Sequence, residues 1–237
     1  NAERYSEMTS RVTTANTNIG AVDTNETLNA NARTDNAEEK SSIQAALSSY
    51  STNADDDYQE TIAVDGEAFD YDEEYTSLTA IEARITALQE KITSDNETYE
   101  GIYLTIEDYF TAAESYYTAK MTELSEAITD AAAQSVLEQA QTDLLAQKNA
   151  LGNLESEYAT DKVNGDDLDA AEANTDIEAI KTEMDNIFTA AITDADHAIF
   201  NSYKESKKDA ADAQAKDGDS EDSKALITAV KAAIDAV

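Results

Sequence analysis

The sequence predicts an all-α protein, an elongated antiparallel bundle of coiled-coil-like helices, and three observations carry that expectation. Proline is absent from all 237 residues, where average usage of about 5% would supply roughly a dozen. Because proline removes an N–H and clashes with the preceding turn, its absence suits long uninterrupted helices. Apolar residues recur at alternating steps of three and four through most of the chain, which lays a stripe along one helix face. The strong helix formers Ala, Glu, Gln, Lys and Leu are plentiful in those stretches, and glycine numbers only six.

Residues 1–35 are the least committed stretch. Asn16, Asn18, Asn25, Asn29 and Asn31 crowd it, and such side chains compete with helix hydrogen bonds. A short helix around Tyr5, Met8 and Val12 is expected, with a loop near Gly20. Asp35-x-x-Glu38 has the form of a capping box and opens the next helix. That helix carries Ile43, Leu47, Tyr50 and Ala54 and ends before Gly66. Leu78, Ile81, Ile85, Leu88 and Ile92 mark the clearest helix, and Tyr103, Ile106, Phe110, Ala113 and Tyr117 repeat its rhythm. A four-four step at Met121 leads on to Leu124, Ile128 and Ala131. Leu137, Ala140, Leu144, Leu151, Leu154 and Tyr158 are out of phase with Ala131, so a break is expected near 130–135, capped by Ser135-x-x-Glu138.

Val163-Asn164-Gly165-Asp166 is the strongest turn signal in the chain. Thr175-x-x-Glu178 then opens a helix bearing Ile177, Ile180, Met184, Ile187, Ala191 and Ile192, which Asp217-Gly218-Asp219 ends. A final helix starts near Ser223 with Leu226, Ile227, Val230 and Ile234. It shows no C-cap signal by Val237, and the chain opens at Asn1 without an initiator Met, so the sequence reads as a segment of a longer product.

The chain also resembles itself. Thr76-Ser77-Leu78-Thr79-Ala80-Ile81 aligns with Thr175-Asp176-Ile177-Glu178-Ala179-Ile180, and Tyr50-Ser51-Thr52-Asn53 with Tyr158-Ala159-Thr160-Asp161, each pair member closing a helix. Met121-Thr122-Glu123-Leu124 aligns with Ile227-Thr228-Ala229-Val230 in the same order along the chain. Two imperfect helical repeats, each roughly 100 residues long, account for this order; chance likeness between heptad sequences is the competing account. The sections that follow are a poorly committed segment at 1–35, a first helical unit at 36–160 and a second, truncated one at 161–237.

Composition excludes several function classes. Acidic side chains number 51 against 16 basic ones, for a net charge of −35. A nucleic-acid binder needs a basic footprint, and an anionic membrane surface would repel this chain. No stretch approaches the ~18 consecutive apolar residues of a membrane span. Cysteine is absent, so disulfide scaffolds and thiolate metal sites are excluded. No G-x-S-x-G elbow, G-x-G-x-x-G turn or Walker loop occurs, and His197 is the only histidine. The chain is therefore not expected to be an enzyme.

Two features remain as candidate sites. Asp217, Asp219, Glu221 and Asp222 alternate along one loop, and Asn164, Asp166, Asp167 and Asp169 along another. Flexible acidic loops supply the oxygens that a weak Ca²⁺ site needs; helix N-termini and turns are the other reading, since acids there complement the helix dipole. Asp194 and His197, at i,i+3, form half of a metal site at most. Tyrosine concentrates between Tyr99 and Tyr117. Tyr103 and Tyr117 fall on the heptad face, whereas Tyr109 and Tyr116 fall off it and are candidates for contact with a protein or glycan partner. Asn25-Glu26-Thr27 and Asn96-Glu97-Thr98 match the N-glycosylation pattern, as expected by chance in an Asn- and Thr-rich chain.

Proline-free, cysteine-free, acidic and imperfectly repeated, the chain is similar to the repetitive all-helical segments of bacterial secreted and surface proteins. The expected succession of antiparallel helices resembles spectrin-like three-helix repeats, although the tryptophan of that family has no counterpart here. The resemblance implies an extracellular or cell-surface location and a structural spacer or stalk role. A helical binding module using the Tyr99–Tyr117 region, and a self-associating filament subunit, are the alternatives.

Overall fold

A computed structural model describes residues 2–63, 71–216 and 219–237. Among the described residues there are six α-helices, two short 3₁₀ turns and no strand. The helices are α1 (Ala2–Ala21), α2 (Ala30–Ala63), α3 (Tyr71–Ala127), α4 (Gln134–Asn164), α5 (Ala170–Asp212) and α6 (Glu221–Asp235). The fold is an all-α helical bundle, as the heptad pattern requires. It divides into two compact units, the first taking Asn1–Ile106 and Ser156–Ala170, the second Glu107–Glu155 and Ala171–Val237. Packing thus assembles each unit from separated segments of the chain.

In the first unit α1, α2 and the N-terminal part of α3 surround one core. Met8, Ala15, Ile19, Ile43, Leu47, Leu78, Ile85 and Leu88 are buried in it. The N-terminal stretch is more regular than its composition suggests. α1 runs for 20 residues because the face carrying Met8, Ala15 and Ile19 is buried; its threonines bond back within the helix, Thr9 to the carbonyl of Tyr5, Thr13 to Thr9 and Thr17 to Thr13.

The corner between α1 and α2 is held by a polar network. The Asp23 carboxylate accepts from the Asn25 N–H and starts a 3₁₀ turn at Thr24–Glu26. The side-chain oxygen of Asn29 accepts from the Ala32 N–H, so Asn29 caps α2. Asp35, expected at the cap, instead lies inside the helix. Asn36 is fully buried; its amide donates to Thr27 Oγ1 and Asp95, and its oxygen accepts from Lys91 at 2.8 Å. A buried amide without these partners would cost about 1–3 kcal/mol. Asn96 completes the corner by accepting from the Leu28 N–H and donating to the Glu26 carbonyl.

In the second unit the C-terminal part of α3 packs with α4 and α5 around Leu124, Ile128, Leu137, Leu144 and Met184. The break expected near 130–135 is present, with α3 ending at Ala127 and a 3₁₀ turn at Ala131–Ala133. Its cap is Asp130, which accepts from the Ala132 N–H at 2.8 Å, and not Ser135, which lies within α4. Each corner has a buried aliphatic (Val22, Ile128), an aspartate cap (Asp23, Asp130) and a 3₁₀ turn; buried Thr27 follows the first turn, and buried Ala133 ends the second. Tyr50 and Tyr158, expected to close their helices, lie within α2 and α4.

The turn at Gly165 falls where Val163-Asn164-Gly165-Asp166 predicts it, and Gly165 has φ 78. α5 starts five residues before the expected Thr175, whose hydroxyl bonds back to Ala171 inside the helix. α5 ends at Asp212, ahead of the expected stop at 217–219, of which residues 217–218 lie outside the described residues. α6 begins at Glu221, capped by Ser220, which accepts from the Ser223 N–H. None of its 15 residues is buried. It is joined to the end of α5 by ion pairs Lys208–Asp235 and Lys231–Asp212 (2.6 Å) and by Lys204 donating to the Asp235 carbonyl.

Candidate functional site

A cluster of interacting polar and aromatic side chains forms in the second unit, where α3 faces α5. Tyr116 and Lys120 are four residues apart and so share one face of α3, while Lys181, Asp185 and Phe188 share one face of α5. The Tyr116 hydroxyl donates to the Asp185 carboxylate, and Lys120 lies 3.1 Å from the same oxygen. The Lys120 ammonium sits 5.3 Å over the Tyr116 ring and 4.8 Å over Phe188; Lys181 approaches the Tyr116 ring to 5.0 Å. Cations over aromatic faces are attracted by the ring quadrupole.

The titration behaviour of these groups follows from the contacts. Hydrogen bonds from Tyr116 and then Lys120 hold the Asp185 carboxyl below its usual range. The Lys120 ammonium is raised, chiefly by its bond to Asp185, and the Tyr116 hydroxyl is raised by burial and then by the same carboxylate. Each group is moved further from neutral pH, the reverse of what a general acid or base requires. The cluster is a clamp between helices.

A related clamp joins α1 to α3 in the first unit. Arg11 pairs with Glu82 at 2.6 Å and lies 4.1 Å over the Tyr75 ring, whose hydroxyl donates to Glu7. In both units, then, a cation of the first helix takes a carboxylate of the third and rests on an aromatic ring. Tyr5 stacks on Tyr58 with centroids 3.8 Å apart, beside a groove of about 270 Å³ that Met8, Val12 and Tyr50 line.

The tyrosines singled out on the sequence are mostly absorbed into this packing. Tyr116, expected to present an off-face contact surface, is half-buried and engaged with Asp185, because α5 covers a wider face than the heptad stripe alone. Tyr109 is half-buried. Tyr117 packs against the core with Lys148 5.3 Å over its ring, and Tyr103 carries Lys162 at 4.3 Å. Tyr99 is buried and donates to the Asp166 carbonyl at 2.9 Å. Burial first, and Asp166 next, push its hydroxyl up.

The acidic loops serve the helix ends. Asp219 accepts from the Lys216 N–H at 2.7 Å, Glu221 pairs with Lys224 at 3.0 Å, and Asp222 is exposed in the first turn of α6. Asp217 lies outside the described residues. Both carboxylate oxygens of Asp167 accept from side-chain amides, those of Asn29 and Asn31, which ties the α4–α5 turn to the start of α2. His197, Asp194 and Asp196 are exposed on α5. Among the described residues no group of three or more His, Asp or Glu side chains is placed to hold a metal ion, and no helix is long and apolar enough to cross a membrane.

Sequence reasoning missed the clamp of Tyr116, Lys120 and Asp185. Its signal was present as Tyr-x-x-x-Lys on one helix and Lys-x-x-x-Asp on another, the i,i+4 spacings of paired helix faces. Compared with protein-family models, with curated proteins and with solved structures, the chain matches none.

Proposed function

We propose that the chain is a structural spacer segment of a larger extracellular or cell-surface protein and performs no catalysis. The observation that carries the reading is α3, one continuous helix of 57 residues that contributes to both units. A helix holds its length through its own backbone hydrogen bonds, where an unstructured segment extends freely. The clamps across α1–α3 and α3–α5 fix helix register without creating a reactive group. The surface of a chain with net charge −35 repels its own copies, which keeps such a segment soluble and unassociated.

Single-molecule pulling tests this directly, because the cysteine-free chain accepts unique terminal thiols as handles. A spacer of helical units extends in two cooperative steps and recovers both after release. A featureless extension with no cooperative step would overturn the reading.

A further inference from the structure

We propose that the hairpin of α6 and the end of α5 is a docking site for one amphipathic helix from another polypeptide, a helix with a carboxylate beside its apolar stripe. Two independent observations carry this.

The first is the unmatched apolar face of α6. Leu226, Val230 and Ala233 fall at steps of four and three, the steps at which Ile43, Leu47 and Tyr50 of α2 are buried. In α2 that stripe is covered by two neighbouring helices. In α6 it is open, with Leu226 67% and Val230 42% exposed. A 15-residue helix with no buried residue gains little from its single neighbour, and helices of that length are marginal in water.

The second is a cation that repeats the clamp without its acid. Tyr203 and Lys207 stand four apart on α5 as Tyr116 and Lys120 do on α3, and Lys207 sits 4.9 Å over the Tyr203 ring. In the complete units the third helix supplies the carboxylate, Glu82 to Arg11 and Asp185 to Lys120. No carboxylate among the described residues pairs with Lys207, and Tyr203 is 59% exposed. The contacts of Lys204 and Lys208 with Asp235 bring the C-terminal end of α6 beside this turn of α5. The hairpin thus has the first and second helices of a three-helix unit, and the chemistry left open is that of the third.

The probe is a labelled synthetic peptide of residues 171–199, the third helix of the second unit, which carries Asp185 in its native register. Titrated onto the full chain, it is expected to bind saturably and to slow amide hydrogen exchange in α6. Leu226→Glu should weaken binding about tenfold or more, as loss of a central apolar anchor does. Lys207→Glu should weaken it about fivefold, and a peptide carrying Asp185→Lys should restore it, a rescue that misfolding would not produce. Non-saturable binding, equal affinity for the Leu226→Glu chain, or loss of protection in residues 171–199 of the chain instead of gain in α6 would overturn the proposal. So would a dimer in sedimentation equilibrium that Leu226→Glu dissolves, which would make the occupant a second copy.

Discussion

Replacing Gly165 by alanine should destabilise the first unit by about 1.5–3.5 kcal/mol, a value that follows from two separate costs. Gly165 has φ 78, a conformation that L side chains rarely adopt, and the left-handed region costs a residue with a Cβ roughly 1–2 kcal/mol. A Cβ there would also stand 2.4 Å from the Leu28 carbonyl oxygen and 3.1 Å from the Ala30 nitrogen, both rigid backbone. Relief requires the turn to move away, which breaks the 2.8 Å bond from the Ala30 N–H to the Gly165 carbonyl. An interior backbone bond of this kind is worth about 0.5–1.5 kcal/mol net, and more when its partners stay dry. Gly101→Ala is the internal control. It lies in α3 with nothing within 4 Å of an added Cβ, so it should stabilise by about 0.5–1 kcal/mol. Urea titration followed by circular dichroism reads both variants. Effects of the same sign, or a Gly165→Ala loss no larger than surface substitutions give, would refute the account of this turn.

Three further outcomes follow. Burial, and then Glu74, push the Tyr50 hydroxyl up to about 12; the stability it contributes is fully present below pH 10 and is lost as pH rises through about 12. Alkaline unfolding should therefore be less steep in Tyr50→Phe, and identical base limbs would contradict this. Asp185 has a depressed carboxyl, so its contribution is present above the unfolded value and is lost as pH falls through the folded one. An NMR titration should show its carboxyl ionising below a typical aspartate, and Tyr116→Phe should raise it; an unshifted Asp185 would remove the clamp from the account. Leu124→Ala, at a site with 0% exposure, should cost about 2–5 kcal/mol by thermal unfolding, against near-neutral effects for Leu104→Ala at 58% exposure.

The fold class and much of the core were legible because helix periodicity leaves its own mark. Leu78, Ile85, Leu88 and Ile92 were marked by spacing alone and are buried. The corner before α4 was legible as a change of phase, and the α4–α5 turn as an Asn-Gly pair. Helix starts were misplaced at Asp35 and Thr175 because a chain with 51 acids contains capping-box patterns by chance. The real cap of α2, Asn29, lacks the reciprocal glutamate. Residues 1–35 looked uncommitted because Asn and Thr have turn chemistry as well as helix chemistry. What decides between them is the burial of Met8, Ala15 and Ile19, a tertiary fact. The clamps were illegible for a similar reason, since Asp185 is one acid among many until α3 is placed beside it.

Native-state hydrogen exchange on the Leu47→Ala and Leu124→Ala variants tests most directly the claim that each unit owns its core. Leu47 and Leu124 are both fully buried, in different clusters. The account predicts that Leu47→Ala accelerates exchange at Ile43, Leu78 and Leu88 while Leu144 and Met184 keep their protection, and that Leu124→Ala does the reverse. Equal acceleration of both clusters by either substitution would contradict it.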